Sequence, residues 1–191
     1  MPSTGSHRRG QYVRDAVLDA AFDELTDHGV AGATVSGVAR RSGVHETTIY
    51  RRWTTRENLL VDAMLRRGAE AIPDPDTGST RGDLLAVARA LVAYLNSPGG
   101  RAVLHAAMLS ADDDYNEARQ AFWSARYEAL APVAERAIAR GDLRPGIDVR
   151  LLEEMLAAPL YTRILLTGEP IDDDIAEHLV DLVIDGAARR D

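Results

Sequence analysis

The chain has 191 residues, 46% of them hydrophobic, which is long and apolar enough for a folded globular protein and too apolar for a disordered one. It contains no cysteine, which excludes disulfides and thiolate metal sites and suits a reducing compartment. The formal net charge is −8, yet residues 1–58 balance at +1 and residues 59–191 at −9, so the first third carries local basic charge that suits a phosphate-bearing partner or a solvated arginine-rich face.

In chain order, Val17, Leu18, Ala21, Phe22 and Leu25 form an apolar stripe at helical spacing, and His28-Gly29 ends that first helix. Thr34, whose hydroxyl is a good N-cap, opens a short second helix through Val38 and Ala39. Ser42-Gly43-Val44 breaks it, with Gly43 free to take the left-handed conformation of a tight turn. A third helix follows at once, Ile49 and Trp53 being four apart and facing inward. Thr54-Thr-Arg-Glu57 has the spacing of a capping box and starts a fourth helix that carries Leu59, Leu60, Ala63 and Met64. Two short helices joined by a glycine turn make a helix-turn-helix, whose second helix enters the major groove of DNA. With Val44, Ile49 and Trp53 held to the core, His45, Glu46, Thr47, Thr48, Arg51 and Arg52 face out, and each can hydrogen-bond to base edges or phosphates. Residues 40–56 hold five arginines and a single acid, Glu46.

These features resemble the DNA-binding domain of the TetR family of bacterial transcriptional regulators over residues 11–60. The resemblance is carried by a long first helix ending in DHGVAGATVSGVARRSGV and followed by TTIYRRWTTRENLL, with Ile49, Tyr50 and Trp53 where the family has an aliphatic residue, a tyrosine and an aromatic. It implies that Thr34 and Ser36 open the second helix against the phosphate backbone. It implies further that His45, Glu46, Thr47 and Thr48 present to base edges, that Tyr50 reaches a phosphate, and that Arg51, Arg52 and Arg56 add base or phosphate contacts. Arg56 stands where the family usually has a lysine, and His45 where it often has a small cap residue. Glu46 is then either a favourable acid at the positive end of the helix or a reader of a cytosine amino group.

Beyond the fourth helix, segments 81–96, 100–110, 115–140, 148–167 and 172–187 are apolar with helical period, broken at PDPDTGSTRG, SPGG, ADDD, GDLRPGID and TGEPIDDD. No useful strand-like alternation appears, so an all-α protein is expected. It divides into an N-terminal three-helix helix-turn-helix domain over 1–56 and a larger helical effector-binding and dimerisation domain over 57–191. The resemblance implies that this second domain holds a small molecule and that its last two helices build a homodimer. Leu151, Leu152, Met155, Leu156, Leu160, Ile164 and Leu165 repeat at helical spacing, as do Ile175, Leu179, Leu182 and Val183, and that apolar surface needs a cover from a symmetric partner or from the monomer itself. Tyr94, His105, Met108, Phe122, Trp123, Tyr127 and Tyr161 bring aromatic and soft side chains toward the centre, as effector contacts or as plain core.

Enzyme readings find little support. The histidines at 7, 28, 45, 105 and 178 include no pair with metal-ligand spacing, and the two triple-aspartate runs suit helix N-termini better than a metal or general-acid site. No catalytic residue, metal or cofactor is expected. No run approaches a transmembrane span and MPSTGSHRRG lacks the apolar stretch of a signal peptide, so a cytoplasmic protein with no membrane partner is expected. The expected function is a regulator, in the main a repressor, that binds a palindromic operator on double-stranded DNA as a dimer and is released by a small, largely hydrophobic effector. The alternative is a helical small-molecule-binding protein or enzyme whose N-terminal helices are only structural.

Overall fold

The computed structural model describes residues 4–109, 113–144 and 146–187. In chain order they form α1 (Thr4–Gly32), α2 (Val35–Ser42), α3 (Glu46–Trp53), α4 (Arg56–Ala71), α5 (Thr80–Asn96), α6 (Pro98–Leu109), α7 (Asp113–Arg140), α8 (Val149–Thr162) and α9 (Asp173–Ala187). A π-helical turn, Arg163–Thr167, continues α8. Among the described residues no helix is long and apolar enough to cross a membrane.

The helix ends follow from local chemistry. Gly29, at φ 67°, kinks α1 one residue past His28, so the segment up to Gly32 is a separate turn. The Thr34 hydroxyl accepts from the Gly37 amide at 3.0 Å and caps α2, while Gly43, at φ 70°, closes it in the left-handed conformation. The capping box expected at Thr54 does not form, and a simple N-cap lies one residue later. Thr54 closes α3 at φ 63°, and Thr55 caps α4 by accepting from the Asn58 amide at 3.2 Å. Glu57, freed from capping, pairs with Arg56 at 2.9 Å. The break expected across SPGG shrinks to one residue. Pro98 already lies in α6, where a missing N–H costs nothing, and the Ser97 hydroxyl accepts from Gly100 and donates to the Tyr94 carbonyl. Asp172 caps α9 by accepting from Ile175, as the second acidic run suggests, and Asp148 caps α8 by accepting from Leu151; Asp112 lies outside the described residues.

Two apolar cores result. One joins the stripes of α1–α4, including Leu18, Leu25, Ile49, Trp53, Leu60 and Met64, to Val103, Ala106 and Ala107 of α6 and Ala118 and Phe122 of α7. The other packs α5, α8 and α9 together with Val133 and Ala137 of α7. Tyr94 packs against both. Of the two covers open to the apolar set of the last helices, the monomer supplies most: Leu152, Leu156, Leu160, Ile175, Leu179 and Val183 are inside it. The cause is that α9 lies along α5, so the α9 stripe is consumed there. Left exposed are Leu151, Met155, Leu166 and Leu182.

Candidate nucleic-acid interface and ligand cavity

The inner face of α3 is fixed at two points. Ile49 and Trp53 are buried, and the Trp53 indole N–H donates to Asp62 of α4 at 3.0 Å. On α2, Arg41 pairs with Glu24 and Asp27 of α1, each at 2.7 Å. Glu24 lies buried beneath α2 beside Gly37, where a Cβ would overlap its carboxylate; the glycine lets the two helices approach.

With that face held, His45, Glu46, Thr47, Tyr50, Arg51 and Arg52 are exposed and Thr48 is half-buried, as the sequence requires of a reading helix. Ser36 is exposed beside the Thr34 cap. Neither His45 nor Glu46 caps α3 through a hydrogen bond, which leaves its first amides open. Among the described residues Arg40, Arg51 and Arg52 form no ion pair, and the Arg52 guanidinium lies over the Trp53 ring at 5.4 Å. Arg14, Arg51 and Arg52 rim a cleft of about 480 Å³ between α1 and α3, floored by Val13, Val17, Ile49 and Trp53. Arg56 departs from expectation. It donates to the carbonyls of Val30 at 2.8 Å and Ala33 at 3.1 Å and pairs with Glu57, so its guanidinium is a strut between the α1–α2 loop and the start of α4. With Arg41 also engaged internally, three of the five arginines between 40 and 56 remain for a phosphate partner.

Of the residues expected around an effector, the structure brings most together. Tyr94, Phe122, Trp123 and Tyr161 line a small, partly open pocket with Ile72, Leu91, Val103 and Leu104. Its volume, about 30 Å³, holds about two waters and no organic molecule. Met108, Trp123, Tyr127 and Tyr161 line an open groove of about 570 Å³ beside it. Trp123 and Tyr161 belong to both and form the wall between them, their rings 5.7 Å apart. His105 is a correction: α6 turns Val103, Leu104, Ala106 and Ala107 inward, which leaves His105 exposed and outside both spaces.

Two charged residues escaped the sequence reading. Arg126 of α7 is half-buried in the small pocket, makes no ion pair among the described residues, and lies 3.2 Å from where a Cβ would stand on Gly68 of α4. Burial pulls its basicity down, while Tyr161, Tyr94 and Glu153 support the charge. Glu153 of α8 is buried with Oε1 unpartnered, and burial pushes its carboxyl up to about 7 against the opposing charges of Arg150 and Arg126. The Tyr94 hydroxyl is also buried without a partner, and burial pushes it up to about 12. A signal existed: Arg126 interrupts the buried register that runs from Ala118 and Phe122 to Val133 and Ala137, as Glu153 does between Leu152 and Ala157.

Known proteins match both halves of the chain. Residues 17–63 match the family model described as bacterial regulatory proteins, tetR family, and residues 74–183 match that described as tetracyclin repressor-like, C-terminal domain. The chain is 34% identical to the HTH-type transcriptional regulator AqdR of Rhodococcus erythropolis, over 93% of this chain and 86% of that one. It is 29% identical to the DNA-binding transcriptional repressor TetR of Mycobacteroides abscessus, over 92% and 94%. The crystal structure of the TetR family transcription regulator SCO0332 superposes with a TM-score of 0.79 at 34% identity, covering 93% of this chain and 99% of that one.

Proposed function

The chain belongs to the TetR family of bacterial transcriptional regulators, and from that premise we propose that it is a cytoplasmic repressor, dimeric on a palindromic operator and released by a small, largely hydrophobic effector. The observation that carries the reading is the outer face of α3, where Tyr50, Arg51 and Arg52 are exposed and, among the described residues, without ion pairs, while Ile49 and Trp53 hold the inner face to the core. In this reading residues 1–56 address DNA and residues 57–191 bind effector and partner. Thr34 and Ser36 meet the backbone at the start of α2, and His45, Glu46, Thr47 and Thr48 read base edges. Tyr50, Arg51 and Arg52 contact phosphates or bases, and Arg56 aims that face without touching DNA.

A single helix-turn-helix covers too little surface for a specific complex, and a two-fold dimer doubles it, with half-sites about 34–36 Å apart or a multiple of that. Leu151, Met155 and Leu166, from α8 and its π turn, and Leu182 of α9 supply exposed apolar surface for the partner. An effector lodged among Tyr94, Met108, Phe122, Trp123, Tyr127 and Tyr161 would bias the dimer between two arrangements, and a coupling of about 1–3 kcal/mol suffices. The lever is α4, which starts at Arg56 beside the reading unit and carries Gly68 against Arg126.

The test is a gel shift on the DNA immediately upstream of the gene for this chain. Arg51→Ala, Arg52→Ala and Tyr50→Phe are expected to weaken binding without lowering thermal stability. Loss of a phosphate-contacting arginine should lower the salt slope by about one. Unchanged affinity in all three variants overturns the assignment of α3.

A further inference from the structure

The small pocket shared by Tyr94, Arg126 and Tyr161 has an excess of hydrogen-bond donors. Arg126, half-buried, brings a guanidinium that stays charged, and among the described residues no carboxylate lies within ion-pairing distance of it. Tyr94 brings a buried hydroxyl with nothing to donate to. Tyr161 adds a second phenol on the same wall. The one acid whose charge is felt at Arg126 is Glu153, and its carboxyl titrates near neutrality, so it is a weak counter-ion. Arg67 and Arg150 add positive charge nearby, felt at Tyr94 and Glu153 respectively. A half-buried cation with no ion-pair partner among the described residues is costly to desolvate, which singles out the position. The rest of the lining, Ile72, Leu91, Val103, Leu104 and Phe122, is apolar.

What this arrangement lacks is an acceptor with negative charge and an apolar body. We propose that the effector is an amphipathic organic acid whose carboxylate pairs with Arg126 and accepts from the Tyr94 hydroxyl, its apolar part lying against Phe122 and Trp123. The inference rests on the effector reading above and narrows its chemistry from hydrophobic to hydrophobic with an anionic head. A planar carboxylate matches the guanidinium fork with two parallel hydrogen bonds, which a neutral amide cannot do with equal strength. The acid enters from the open groove by displacing Trp123 and Tyr161, since the pocket of about 30 Å³ is too small until they move. Its arrival redirects a guanidinium that rests on Gly68, and so reaches α4.

The experiment titrates hexanoate, octanoate, decanoate and 2-naphthoate, each beside its primary amide, into the intact protein by calorimetry. The pH is set about one unit below neutrality, where the acids are still ionised and Glu153, pushed up to about 7 by burial, is mostly protonated. At least one acid is expected to bind about tenfold or more tighter than its amide. That preference should fall to about twofold or less in Arg126→Gln and shrink partly in Tyr94→Phe, with the melting temperature of each variant read alongside. Should Arg126→Gln fail to fold, the comparison of acid with amide on the unmodified protein decides alone. No acid binding better than its amide, or an acid preference undiminished in a folded Arg126→Gln, overturns the proposal. A gel shift with the same compounds separates the two readings. Acids that bind without releasing DNA uphold the anion site and overturn release by this effector. Release by the neutral members alone upholds release and overturns the anion site.

Discussion

Glu153 is 8% exposed on α8, and its carboxyl is pushed up by burial to about 7 from an ordinary 4.5. Between those two values the folded chain holds a proton that the unfolded chain has released. Stability therefore declines as pH rises from about 4.5 to about 7, and the whole penalty is present above that range. Glu153→Gln removes it, so the variant is expected to melt several degrees higher than the unmodified protein at about pH 8 and at nearly the same temperature at about pH 4.5. Calorimetric melting across that range checks both the sign and the window; a gain independent of pH contradicts the assignment. At this scale the sequence was legible where a side chain acts on its near neighbours, as the Thr34 hydroxyl does on the Gly37 amide. It was not legible where partners are remote. Arg41 pairs with Glu24 across 17 positions and Arg56 bonds to Val30 across 26, so both look like free surface cations in the sequence. Arg126 was missed for a related reason, because a charge on a long helix is read as solvated until the neighbouring helices are in place.

The limits of the helices came through closely, since apolar period and capping residues are both local. The segment expected over 81–96 is α5 at Thr80–Asn96, and that over 172–187 contains α9 at Asp173–Ala187. The two shifts in boundaries have physical causes. Thr54 takes a positive φ that β-branched residues rarely adopt and so passes the cap of α4 to Thr55. Ser97 turns the chain between α5 and α6 by itself because Gly100 has no side chain: a Cβ there would overlap the Tyr94 carbonyl. Gly100→Ala therefore forces backbone apart and is expected to destabilise by about 1–3 kcal/mol, lowering the melting temperature by several degrees. Gly186→Ala is the control, because a methyl there meets nothing and the residue is helical; it should be neutral or slightly stabilising. Equal effects from the two substitutions would refute the close approach.

For the whole molecule, periodicity marks apolar faces without saying which of them a second chain covers. Leu179 and Leu182 look equivalent in sequence, yet Leu179 is 7% exposed and Leu182 is 69% exposed, because α9 turns the first toward α5 and the second outward. Leu182→Arg is expected to yield a folded monomer by sedimentation velocity, with operator affinity reduced at least about tenfold since one half-site alone is then held. Leu179→Arg is expected to lose helical signal on mild heating, because it places a charge in the monomer core. A dimer that survives Leu182→Arg would move the interface away from α9.

The core that runs from α1 through α4 into α6 and α7 also bears on ancestry and on engineering. A reading head cut away between residues 56 and 57 would leave Leu59, Leu60 and Met64 behind, together with Val103, Ala106, Ala107, Ala118 and Phe122. Grafted onto a foreign body, it would find a mismatched socket. If α3 reads the operator as proposed, new specificity is reached more readily by exchanging surface residues on α3 than by recombining whole heads. A working chimera must carry α4 with it and bring the five residues of α6 and α7 as a matched set.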